Sequence, residues 1–152
     1  MALTARPGHM DLALEQARLA AARGEVPVGA VIVSPDGRVV AVDGNRSREL
    51  SDPTAHAELL VIREACRAAR SERLPGYDLY VTLEPCPMCA AAISFARIRR
   101  LYYGAGDPKG GGVEHGARVF SHPTCHHVPD VYPGLGEEAA AEILKSFFAQ
   151  RR

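Results

Sequence analysis

Thr54-Ala55-His56-Ala57-Glu58 and Glu84-Pro85-Cys86-Pro87-Met88-Cys89 decide how this chain is read. Between them they offer one imidazole, two thiols and a spare carboxylate. Zinc takes four tetrahedral ligands from such groups, and a catalytic site leaves one position for water. His56, Cys86 and Cys89 supply three ligands, and the fourth position is left for a water whose pKa the metal lowers. Hydrolysis at a C–N bond also needs a group that carries protons between water and leaving amine. Glu58 is the candidate general acid/base.

The spacing constrains the local fold. Two residues apart in a regular helix, His56 and Glu58 would point roughly 200° away from each other. They face one metal only where a helix begins, and Asp52-Pro53-Thr54 suits such a beginning, with Thr54 as the expected cap. A lone Cys-x-x-Cys would equally suit core or redox thiols. His-Ala-Glu upstream and the prolines flanking Cys86 turn the balance to a metal site.

Working outward, Pro75-Gly76 breaks the chain, and Leu79 to Leu83 reads as the strand that delivers Glu84-Pro85-Cys86. Pro87 suits the first turn of a helix from Met88 to Ala96, and Arg100 to Tyr103 reads as a further strand. Upstream, Val28 to Val33 and Arg38 to Val42 form a hairpin around Ser34-Pro35-Asp36-Gly37. Gly44 to Pro53 is polar loop containing Asn45. A helix over Ala55 to Arg70 is expected to bury Leu59, Ile62 and Cys66. The first helix, His9 to Arg23, recurs at Met10, Leu14, Ala17 and Ala21, with Gly24 ending it. The last, Glu137 to Gln150, carries Ala140, Ile143, Leu144, Phe147 and Phe148. Strands joined through helices predict parallel pairing after the hairpin, in a three-layer α/β/α sandwich with the metal ligands at the helix starts. Gly104 to Gly136 reads as a long functional or mobile loop. Its His122, Cys125, His126 and His127 are read by default as hydrogen-bonding or packing groups, with a second metal site as the alternative.

The 152 residues predict a single domain, 1–152. Lys+Arg and Asp+Glu both number 18, so a nucleic-acid partner would have to meet a local patch rather than a whole-protein field. The four cysteines do not call for a disulfide framework, and no signal peptide or membrane span is evident, which predicts a cytoplasmic protein.

His-x-Glu with Pro-Cys-x-x-Cys is the pattern known from zinc deaminases, and on that pattern the chain resembles the cytidine deaminase-like superfamily. Gly24-Glu25-Val26-Pro27-Val28-Gly29-Ala30, Gly44-Asn45-Arg46, Thr82-Leu83-Glu84, Gly104-Ala105-x-Asp107-x-Lys109 and Phe147-Phe148 make it similar to bacterial tRNA-specific adenosine deaminases over about His9 to Arg152. The resemblance implies a mixed sheet of about five strands and one Zn2+ per subunit, bound by His56, Cys86 and Cys89, with Glu58 shuttling protons. It implies hydrolytic conversion of wobble adenosine to inosine in a tRNA anticodon stem-loop. Asn45 would hydrogen-bond the flipped base, beside Ala57, with Pro27 and Val28 lining its pocket. Asp107 and Lys109 would contact anticodon nucleotides, Phe147 and Arg151 would help close over them, and two subunits would form a homodimer. Arg97, Arg99, Arg100, Lys109, Arg118, Arg151 and Arg152 are candidate phosphate contacts, fewer than half of them expected to touch RNA. The chain departs from the family after Lys109, where Gly110-Gly111-Gly112 replaces a Ser or Thr followed by Gly-Ala. A deaminase of a free guanine, cytosine or adenine base or nucleoside is the alternative, and a structural zinc module the non-enzymatic one.

Overall fold

The computed structural model describes residues 8–151; Arg152, named above, lies outside them. The elements are α1 (His9–Ala22), β1 (Gly29–Val33), β2 (Val39–Gly44), α2 (Ala57–Ala69), β3 (Asp78–Leu83), α3 (Pro87–Phe95), β4 (Arg100–Ala105), β5 (Asp130–Tyr132) and α4 (Glu137–Ala149). One five-stranded mixed sheet runs β2-β1-β3-β4-β5. Side chains alternate across it, as the pleat requires. Ala30, Ile32, Leu79, Val81 and Leu101 pack towards α2 and α3, whereas Val31, Val33, Tyr80 and Tyr102 pack towards α1 and α4. The expected three-layer sandwich is present.

One pairing differs from expectation. After the hairpin, β3 lies antiparallel beside β1, and parallel pairing starts only at β3–β4 and β4–β5. All five residues of β1 are buried, so it needs a neighbour on each side, while β2 exposes Val39 and Val42 and takes the edge. The expected long loop also contains a strand. β5 is three residues between Pro129 and Pro133, too short to show a pattern.

α1 crosses the sheet at a point where no side chain would fit. A Cβ on Gly29 would lie 1.9 Å from the Ala13 carbonyl oxygen, and one on Gly44, paired with Gly29 across the hairpin, 2.7 Å from that of Gln16. The buried stripe of α1 is Met10, Ala13, Leu14, Ala17 and Ala20 rather than one including Ala21. In α2 it is Ala57, Glu58, Val61, Ile62 and Ala65, with Leu59 and Cys66 only half-buried. The phase of α2 matters because it turns Glu58 inward.

Candidate metal centre and substrate cleft

Three ligands meet where two helices start. His56 is the residue before α2, with extended backbone at φ −76° and ψ 151°, and Glu58 lies in the first turn. That break in helical geometry brings imidazole and carboxylate to one side. Thr54 does not cap the helix; its hydroxyl and N–H both turn to Asp52. The cap comes from afar instead, since Asn45 Oδ1 accepts the Ala57 N–H at 2.8 Å. Cys86 precedes α3, Pro87 occupies its first turn, and Cys89 follows within that turn.

His56 Nδ1 lies 3.6 Å from Cys86 Sγ and 3.5 Å from Cys89 Sγ, and all three donor atoms fall within 4.8 Å of one another. Tetrahedral zinc, with Zn–S near 2.3 Å and Zn–N near 2.0–2.1 Å, separates such atoms by about 3.5 Å. The donors therefore fit the metal. Electrostatics agree: the Cys89 thiol and His56 hold Cys86 down to about 4, while contact with Cys86, burial and Glu58 push Cys89 up. Two thiols this close resist ionising together, and a divalent cation between them lets both ionise. Among the described residues this is the one His/Cys/Asp/Glu group with metal-ligand proximity. His122 and His127 instead donate to the carbonyls of Ala117 and Ile98, and Cys125 lies against Ser94, as the default reading expected.

A cleft of about 320 Å³ opens beside the centre, lined by His56, Glu58 and Cys86 and by Val28, Asn45 and Asp107 among others. Burial pushes the Glu58 carboxyl up to about 7. Asn45 spends its carbonyl on Ala57, leaving its NH2 to donate. Other expected residues are placed differently. Pro27 is fully buried, and Val26 lines the cleft in its place. The Ala57 N–H is taken by Asn45. Lys109 is exposed on the turn beside Gly110, which does line the cleft. Phe147 turns inward, and the Arg151 guanidinium lies 3.6 Å over its ring, so the exposed aromatic of α4 is Phe148. Arg99 is committed to Asp78 by two hydrogen bonds.

Two cleft residues escaped the sequence reading. Glu84, with 2% exposure, accepts the N–H groups of Asp107, Val113, Glu114 and His115 at 2.9–3.1 Å, and its Oε1 lies 2.6 Å from His115 Nδ1. Burial alone would raise its pKa, but these bonds hold it below the ordinary value. Glu25, also with 2% exposure, accepts the N–H groups of Arg48 and Glu49. Each carboxylate pins a loop that walls the cleft. The glycine run follows from the first: a Cβ on Gly111 would sit 2.5 Å from Glu84 Oε2, and one on Gly112 2.5 Å from Pro87 N. Sequence showed only a carboxylate beside each motif; its partners are backbone groups more than twenty residues away.

The zinc-binding region of cytidine and deoxycytidylate deaminases matches residues 5–105. A tRNA-specific adenosine deaminase of Agrobacterium fabrum is 69% identical over 147 residues, covering 97% of this chain and 96% of that protein. One from Rickettsia bellii is 46% identical, covering 94% and 99%. A structure solved in work on A-to-I editing by tRNA:A34 deaminases at the wobble position of transfer RNA superposes with a TM-score of 0.89, at 70% identity over 91% of this chain and all of that one. With its ligand geometry and these relatives, the chain belongs to the tRNA-specific adenosine deaminase family of zinc-binding deaminases.

Proposed function

We propose that this protein deaminates adenosine to inosine at the wobble position of a tRNA anticodon, as a single deaminase domain spanning residues 1–152. The observation that carries the reading is a His/Cys/Cys trio at zinc-ligand spacing, with a buried carboxylate beside it and a cleft of about 320 Å³ opening onto both. An anticodon loop presents its base unpaired, so extrusion into such a cleft costs little. His56, Cys86 and Cys89 would hold the zinc, which when bound would supply Lewis-acid activation of a water. Glu58 would take one proton from the attacking water and give it to the purine ring nitrogen, then take the second from the new C6 hydroxyl and pass it to the departing amine. Adenosine and water thus become inosine and ammonia. A buried carboxyl beside the water position suits both directions of transfer. The Asn45 NH2 donates to an acceptor nitrogen of the base, against Val28. Asp107 and Lys109 meet flanking nucleotides.

Zinc-loaded protein incubated with a tRNA bearing wobble adenosine, then digested to nucleosides, is expected to yield inosine. No inosine from active-metal protein would refute the reading. Ammonia released from free guanine, cytosine or adenine instead would support the free-base alternative.

The reading includes a cytoplasmic homodimer. Among the described residues the four cysteines are free, which suits a reducing compartment, and no helix is long and apolar enough to cross a membrane. On α3, Phe95 is 70% exposed beside an apolar hollow with Ala91 and Val119, which suits a second copy of the chain. Phe95→Glu is expected to shift sedimentation from dimer to monomer at micromolar concentration. An unchanged dimer would place the interface elsewhere.

A further inference from the structure

The two loops that wall the cleft share one construction. A buried carboxylate pins each by backbone N–H groups, and each pinned loop turns a cation outward beside the opening. Glu84 holds the 107–115 loop, which carries Lys109. Glu25 holds the 45–56 loop through Arg48 and Glu49. Of these two loop cations the resemblance implies a role for Lys109 only; Arg48 has had none.

Its surroundings give it one. Arg48 lines both the base cleft and the adjoining surface hollow of Arg23, Gly24, Glu25 and Glu49. Arg46 is paired with Asp43 and Glu49, and Arg23 with Glu49. Among the described residues no carboxylate lies within 4 Å of the Arg48 guanidinium, whose one hydrogen bond is to the Gly24 carbonyl at 3.3 Å. Arg151 approaches the same glycine, its Nη2 3.9 Å from where a Gly24 Cβ would be. The cleft interior, by contrast, is lined by Glu25, Glu58, Glu84 and Asp107. A neutral base can enter an acidic hollow, but its phosphates stay at the lip, where a guanidinium offers a fork of donors.

We infer that Arg48 binds a backbone phosphate of the RNA whose base enters the cleft, and that Glu25 is the positioning residue that presents it. The inference rests on the tRNA reading above. Bound phosphates release counterions, so each contact contributes to the salt dependence of affinity.

The test is the dissociation constant of zinc-loaded full-length protein for an anticodon stem-loop RNA between 50 and 200 mM KCl. Arg48→Ala is expected to weaken binding about 3- to 10-fold at low salt and to flatten the log–log slope by about one. Arg48→Lys should recover most of the slope. Arg38→Ala, at the tip of the β1–β2 hairpin and paired with Asp36, is the control and should leave it unchanged. Glu25→Gln makes the chain more positive, so bulk attraction alone would tighten binding; a positioning role weakens it and flattens the slope as Arg48→Ala does. Wild-type affinity and slope in Arg48→Ala, while wild-type protein still forms inosine in tRNA, would overturn the Arg48 contact and spare the tRNA reading. Failure of wild-type protein to form inosine would remove both.

Discussion

Glu58→Gln is expected to cut turnover by about 10²–10⁴-fold while one zinc per chain is retained. Its carboxyl is buried in the first turn of α2, and no ligand atom comes from it. The amide keeps size and polarity but cannot accept and return a proton. Metal content measured beside ammonia release separates this from a structural zinc module, in which the substitution would change neither. The same variant makes a thermodynamic prediction with opposite sign. With zinc chelated away, burial sets Glu58 at about 7 against an ordinary 4.5. A raised acid is favourable to the fold while protonated, so its contribution is complete below pH 4.5 and is lost as pH rises through about 7. Zinc-free Glu58→Gln should therefore melt above zinc-free wild type at pH 8, by up to about 3 kcal/mol, and equal it near pH 4. Unchanged ammonia release, or loss of zinc with the carboxyl, would refute the proton-shuttle assignment, and equal melting at both pH values would refute the raised apo carboxyl.

The metal centre was legible because its chemistry is local. His56 and Glu58 are two residues apart, Cys86 and Cys89 three, and proline beside each pair announces a helix start. The hairpin and four helices were legible through turn residues and periodicity. What escaped is held by long-range contacts. Strand order was decided by β1 needing cover on both edges, which no single segment displays. The cap of α2 comes from Asn45, twelve residues upstream, so Thr54 looked like the cap. Phe147 and Phe148 are adjacent apolar residues, and only the packing of α4 and the Arg151 guanidinium decide which one faces water. The glycine run read as an anomaly because the groups that exclude side chains there, Glu84 and the Pro87 backbone, lie far away in sequence.

Glu84 is where that distance has the largest structural consequence. Replacing it with Gln is expected to cost about 3 kcal/mol or more, a fall in melting temperature of roughly 6–12 °C for a chain of this length. The carboxylate oxygens accept four backbone N–H groups and meet His115. An amide offers one acceptor and turns its NH2 against donors, leaving buried N–H groups unpaired. Because its native pKa is lowered, the stabilisation is present above the ordinary 4.5 and is lost as pH falls through the native value. The wild-type advantage over Glu84→Gln should accordingly shrink on acidification, whereas a packing defect would persist at every pH. Hydrogen exchange should accelerate at Asp107, Val113, Glu114 and His115 before the strands respond. Since Asp107 and Gly110 line the cleft, KM should rise. Gly111→Ala, with its methyl 2.5 Å from Glu84 Oε2, should produce the same exchange pattern without removing the charge. Wild-type protection of those four amides in Glu84→Gln would show that the loop is held by something else.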